Sequence, residues 1–204
     1  MNVLVNEAEP GAADHEIELL ESAGHRVLRC HRREDGPFPC VGLQPAGVCP
    51  LHEPGIDVAV TVRSQPRSRP SLLEDGIACA LRARVPVVVS GNVFLHPYED
   101  LGVDTVEGEH VVGAVERVAM APSPGHGEVA TEALRDALDA ASGDVIATVT
   151  RSRSRLRVVL QAAPTIDAAR VKAVIPRVVA ALRAYDRDTP RIDVNLATNG
   201  ALVS

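Results

Sequence analysis

The sequence predicts an α/β protein in two parts. First comes a small open parallel sheet of about four strands with helices on both faces, then a second α+β domain of α-β-β-α-β order. Short Val-rich runs alternate with helix-period segments in the first half. The runs Val3–Val5, Val58–Val62 and Val87–Val89 lack polar alternation, as strands covered on both faces do. From about residue 126 the pattern becomes a helix, two adjacent strands, a long helix and a last strand.

Met1 to Asn6 is an apolar run of strand length. After a turn at Pro10-Gly11, Ala13, Ile17, Leu20 and Ala23 recur at helical spacing, and Gly24 supplies the left-handed residue that ends a helix. Val27 to Cys30 and Ile56 to Val62 are the second and third strands. Ser71 opens a helix with Glu74 three residues on, the pattern of a capping box. Leu73, Ile77, Ala80 and Arg84 continue it, and Cys79 falls inside it as a small core residue. Val85 to Ser90 is the fourth strand. Asp104 and Glu107 suggest a cap, with Val112, Val115 and Ala119 as the helix behind it.

Pro122-Ser123-Pro124-Gly125 breaks the chain and sets the domains at 1–121 and 126–197. Ala130, Leu134, Ala137, Leu138 and Ala141 mark a helix closed by Gly143. Val145 to Thr150 and Leu156 to Ala162 pair as a hairpin turning at about Ser152 to Ser154. Val171, Ile175, Val178, Leu182 and Tyr185 form a helical stripe, which Pro176 kinks or starts. Ile192, Val194 and Leu196 alternate as the last of three strands with helices on one face, and Thr198 to Ser204 fray.

Composition narrows the function classes. The net charge is −6, divided as −5 over residues 1–102 and −1 over 103–204, so neither half is a basic domain. With no Trp, two Phe and two Tyr, stacking platforms are scarce, and no nucleic-acid partner is expected. No apolar run approaches the ~20 residues of a membrane span. The first residues lack the pattern of a signal peptide, which predicts a cytoplasmic protein. No Gly-rich phosphate loop follows the first strand, so no nucleotide cofactor is predicted.

Ligands of open α/β sheets bind outside the carboxyl ends of the strands. That rim collects Asn6, Glu7 and Glu9, then Cys30 and His31, then Arg63, Ser64 and Gln65, then Ser90, Gly91 and Asn92. Glu7, Arg63, Ser90 and Asn92 are the candidate ligand-binding groups, set against the default that loops are polar anyway. His96-Pro97-Tyr98 is placed to enter the same rim, whereas Asp14-His15-Glu16 reads as a solvated helix face.

The segment 31–54 is more specific. Its five prolines, at 37, 39, 45, 50 and 54, exclude a regular element. With its flank it carries Cys30, His31, Cys40, Cys49 and His52. Cys49-Pro50-Leu51-His52 has the short spacing of a metal knuckle. Cys30 and Cys40 complete a Cys₃His set suited to zinc or an iron–sulfur cluster. A disulfide or redox thiol pair, or inert packing, are the alternatives. Arg151, Arg153, Arg155 and Arg157 alternate across the hairpin; if extended they share a face, either for phosphate or an acidic protein or as a solvated sheet edge.

The hairpin Arg155-Leu156-Arg157-Val158-Val159-Leu160, the long Val-rich helix and Arg191-Ile192-Asp193-Val194-Asn195-Leu196 resemble bacterial BON and alkaline shock protein family domains. The resemblance implies a non-catalytic module of envelope stress or protein association, hence a protein partner or homo-oligomer. The first half resembles receiver-like and flavodoxin-like domains in element order. Glu7 and Glu9 follow the first strand, where a receiver carries acids, but Val60-Thr61-Val62-Arg63 has no Asp to accept phosphate. The expectation is a non-catalytic regulatory or protein-interaction protein with a Cys/His-stabilised loop at the α/β rim. A metal- or thiol-based redox sensor and a small-molecule enzyme using that rim are the alternatives.

Overall fold

Five parallel strands in the order β2-β1-β3-β4-β5 form the first sheet. They are β1 (Asn2–Glu7), β2 (Arg26–Leu28), β3 (Val58–Arg63), β4 (Val87–Gly91) and β5 (Asp104–Val106). The computed structural model describes residues 1–31, 39–52, 55–101, 103–141, 143–152, 155–187, 191–198 and 201–203. The chain divides into two compact units, Met1–Ala119 and Met120–Ser204.

Both faces of the first sheet are covered, so its strands are apolar on both sides. Val3, Val5, Val58, Val60, Val62 and Val88 pack on α1 (Asp14–Ser22) and α3 (Val111–Met120). Leu4, Ala59, Val87 and Val89 pack with Ile77 and Ala80 of α2 (Asp75–Arg82). Gly24, at φ +81°, ends α1 as its position predicts.

The fifth strand is a correction. Asp104 does not cap a helix; Asp104–Val106 pairs with Val88–Ser90. Glu107 then precedes a 3-10 turn, Gly108–His110, that runs into α3, and its side chain makes no cap bond. Three residues are too few to show a strand period, which is why β5 escapes a pattern reading.

The second unit contains α4 (Pro124–Leu138), β6 (Val145–Ser152), β7 (Arg155–Ala162), α5 (Ala168–Tyr185), β8 (Arg191–Thr198) and β9 (Ala201–Val203). The sheet order is β6-β7-β8-β9; β7 and β8 run parallel, and the other neighbours are antiparallel. Leu134 and Leu138 of α4 and Val171, Val178 and Leu182 of α5 share one core with alternate residues of β6 and β7.

Two details depart from expectation, and a third decides between alternatives. α4 stops at Leu138, where Asp139 takes the left-handed conformation (φ 52°), ahead of Gly143. Pro176 lies inside α5 and does not begin it. The terminal segment expected to fray includes β9, paired to β8 through Leu196↔Val203.

Candidate functional site

The strand order reverses about β1, so the switch point, where open α/β sheets bind their ligands, falls between the carboxyl ends of β1 and β3. Asn6 and Thr61 are register partners there. Most of the polar rim is occupied by its own scaffold. Glu7 Oε2 accepts from Gly11 N (2.9 Å) and Ala13 N (3.5 Å), tying down the turn before α1. Glu9 Oε2 accepts from Ser64 N (3.0 Å) and Ser64 Oγ (2.9 Å), joining the β1 and β3 loops. Ser90 Oγ donates to Glu16 Oε1 (3.2 Å).

Glu16 is therefore a correction: it is buried, and the helix face expected to be solvated is partly internal. Its carboxylate lies against Gly108, where an added Cβ would stand 2.7 Å from Oε1. Asn92 N donates to Arg63 O (2.6 Å), and Asn92 Oδ1 accepts from Phe94 N (3.4 Å).

Arg63 and Glu74 are wholly buried. Glu74 Oε1 accepts from Arg63 Nη1 (2.5 Å), Thr61 Oγ1 (2.7 Å) and Tyr98 Oη (3.3 Å), and Oε2 accepts from Ser71 N (2.8 Å). Glu74 thus does more than the capping-box position foretells: it also neutralises a guanidinium beneath the rim. Tyr98 and His96 do enter, both buried, and their rings stack at 6.3 Å.

The thiols lie on the α2 side of the same edge. Cys30, just past β2, is buried, and its carbonyl accepts from Val41 N (2.7 Å), which brings Cys40 alongside. Gly42 packs onto Cys49; a Cβ there would lie 3.0 Å from Cys49 Cβ. Cys30 Sγ abuts Gly76 of α2, at 2.8 Å from an added Cβ. Cys79 follows one turn later, half-buried and not core, and its Sγ accepts from Arg82 Nη2 (3.2 Å). Burial first, then the neighbouring Cys49, Cys40 and Cys79, push the Cys30 thiol up to about 12.

Two side chains beside these thiols have buried polar atoms with no hydrogen-bond partner among the described residues: half-buried His31, at both ring nitrogens, and the buried Asn6 amide. Burial holds His31 below its usual range, with Asp75 pulling the other way. His52 is exposed. All four cysteines are free. Of the loop prolines, Pro37 and Pro54 lie outside the described residues.

The cluster is open. Among the described residues, the one group of three or more His, Cys, Asp or Glu ligand atoms within 4.8 Å of one another is exposed Glu107, Glu109 and His110. Cys30, Cys40 and Cys49 are neighbours without forming a closed tetrahedron. Residue types and spacing find this loop, His31 included; Cys79, read as a core residue, is missed because its approach depends on how α2 docks.

The arginine alternation does not make one face. The register sets Arg151 opposite Leu156, on the core side, where Arg151 is buried against Asp186, whereas Arg155 and Arg157 are exposed. Arg153 lies outside the described residues. No helix among the described residues is long and apolar enough to cross a membrane. Comparison with known proteins finds no matching family model, curated protein or solved structure.

Proposed function

We propose that the α/β unit is a regulatory thiol module, in which Cys30, Cys40 and Cys49 close on a soft metal ion such as zinc or on an iron–sulfur cluster. Cys79 or His31 supplies the fourth ligand in place of His52. One observation carries this reading: three cysteines from two separate segments gather about Cys30, beside a half-buried imidazole whose two buried nitrogens have no partner among the described residues. Thiolate and imidazole are the donors zinc prefers, and an unpaired buried polar group is costly unless something binds it. Regulation is favoured over catalysis at this rim because Glu7, Arg63 and Ser90 are engaged in holding the scaffold. A reducing cytoplasm would keep the thiols available for a metal.

The test is anaerobic titration of the reduced full-length protein with Co²⁺. Uptake of about one ion per chain with thiolate-to-cobalt charge-transfer absorption is expected, because ligands must come together and deprotonate on binding. Cys40→Ser should weaken the band, as should whichever of Cys79→Ser and His31→Ala removes the fourth ligand, and His52→Ala should leave it unchanged. No band, with all four thiols reacting equally with a thiol reagent before and after zinc addition, would overturn the proposal.

A further inference from the structure

The second unit holds a hydroxyl–imidazole–carboxylate relay that the thiol module does not use. Ser123 Oγ lies 2.7 Å from His126 Nδ1, and His126 Nε2 lies 3.0 Å from Asp186 Oδ2. Arg151 Nη1 donates to the same oxygen at 3.0 Å. His126 and Asp186 are buried, and the Tyr185 ring meets the imidazole edge-on at 5.1 Å.

The chemistry of the groups sets the direction of the relay. An ionised carboxylate only accepts, so Nε2–H donates to Asp186 and the ring proton sits on Nε2. Nδ1 is then a lone pair, and the Ser123 hydroxyl donates to it. Arg151 donates to the same carboxylate oxygen and holds Asp186 in place. These are the roles of a Ser-His-Asp triad with the two ring nitrogens exchanged.

Ser123 stands at the N-cap of α4, where a serine ordinarily bonds a backbone N–H of the first turn. Here its side chain makes no such bond and turns to the imidazole instead. Pro124 has no N–H and Gly127 N bonds Ser123 O (2.9 Å), so the Gly125 and His126 N–H groups, at the positive end of a 15-residue helix, are the first-turn donors near the hydroxyl. Ser123 also lines an open cleft of about 600 Å³, with Pro122, Pro124, Thr131, Arg135 and Val149 among its walls.

We propose that Ser123 is an acyl-transfer nucleophile with His126 as its base, acting on small esters whose short aliphatic acyl group lies along Pro122, Pro124 and Val149. Ser123 Oγ bonds the ester carbonyl carbon while its proton passes to His126 Nδ1. The carbonyl electron pair moves onto oxygen, facing the amide groups at the start of α4. The pair returns, the bond to the alcohol oxygen breaks, and His126 gives that oxygen the proton. Water, deprotonated by the same imidazole, then releases the acid and restores Ser123, so ester and water become acid and alcohol. Asp186 and Arg151 are positioning residues. The proposal involves the second unit alone and stands apart from the thiol reading.

The test uses the reduced full-length protein, a fluorophosphonate probe and p-nitrophenyl butyrate. Mass spectrometry should find one probe adduct, on Ser123. Ser123→Ala should keep the wild-type far-UV spectrum, since the hydroxyl caps no N–H, and should lose the adduct. It and His126→Ala should slow ester hydrolysis at least 100-fold, the usual scale of base-assisted attack. Asp186→Asn should lower kcat with little change in KM, which a purely structural contact would not do. A wild-type protein that takes no probe, or a folded Ser123→Ala that hydrolyses the ester at the wild-type rate, would overturn the proposal and leave the relay as a tether between α4 and α5.

Discussion

Arg63 and Glu74 form an ion pair sealed from solvent, with Arg63 Nη1 2.5 Å from Glu74 Oε1. Taking two charges out of water is costly, and the pair persists because Thr61, Tyr98 and Ser71 complete the carboxylate's hydrogen bonds. Removing one partner leaves a buried charge alone. Glu74→Ala should destabilise the α/β unit by about 3–5 kcal/mol, and an apolar pair such as Arg63→Met with Glu74→Leu should recover much of the loss. Hydrogen exchange along β3 in urea reads this unit separately; an unchanged exchange profile for Glu74→Ala would contradict the account.

Gly76 and Asn6 make a second pair. A Cβ on Gly76 would meet Asn6 Oδ1 at once and stand 2.8 Å from Cys30 Sγ. Asn6 is buried on an interior strand, so Gly76→Ala should cost about 1–3 kcal/mol by overpacking. Asn6→Ala in the same chain should relieve most of it. Additive effects in the double-mutant cycle would show that the two side chains do not compete for this space.

These two pairs also show what the sequence discloses. The capping-box spacing puts Ser71 and Glu74 at a helix start, and the Val runs give β1, β3 and β4 with their two covered faces. Local pattern reaches that far. Glu74 beneath Arg63, Glu16 behind Ser90 and Cys79 near Cys30 depend on the docking angle of helices against the sheet, which no spacing along the chain encodes. The relay from Ser123 to Asp186 joins residues separated by two helices and a hairpin. In the sequence it is visible only as a Pro/Gly break and a helix end.

Tyr98 makes the stability of the α/β unit depend on alkaline pH. Burial first, then the Glu74 carboxylate, holds its phenol well above its ordinary value of 10.0, with Arg63 opposing. The folded state therefore keeps a proton that the unfolded chain releases above pH 10. The contribution is full below pH 10 and is lost as pH rises toward the folded value. Tyr98→Phe lacks the hydroxyl bond and should be less stable near neutrality, but the gap from wild type should narrow above pH 10. Urea midpoints at pH 8 and pH 11 for both proteins decide it; a constant gap would mean the phenol titrates alike in both states.

Asp167 fixes the start of the helix that carries Asp186 at its far end. Asp167 Oδ1 accepts from Ala169 N at 3.0 Å, with Asp167 itself in extended conformation. Val171 N bonds the Asp167 carbonyl at 3.2 Å, so cap and first turn hold each other. Val171 belongs to the core with Val178 and Leu182, while Pro176 already deprives the helix interior of one N–H. A helix weakened in its middle relies more on its ends. Asp167→Ala should destabilise the second unit by about 1 kcal/mol, and Asp167→Ser should restore most of it, because either oxygen satisfies the same donor. Exchange should quicken over Ala169–Val171 and stay unchanged near Asp186, whose N–H is held by Leu182 O at 2.8 Å. Equal quickening at both ends would show that α5 melts as one unit and that the cap acts on the whole helix.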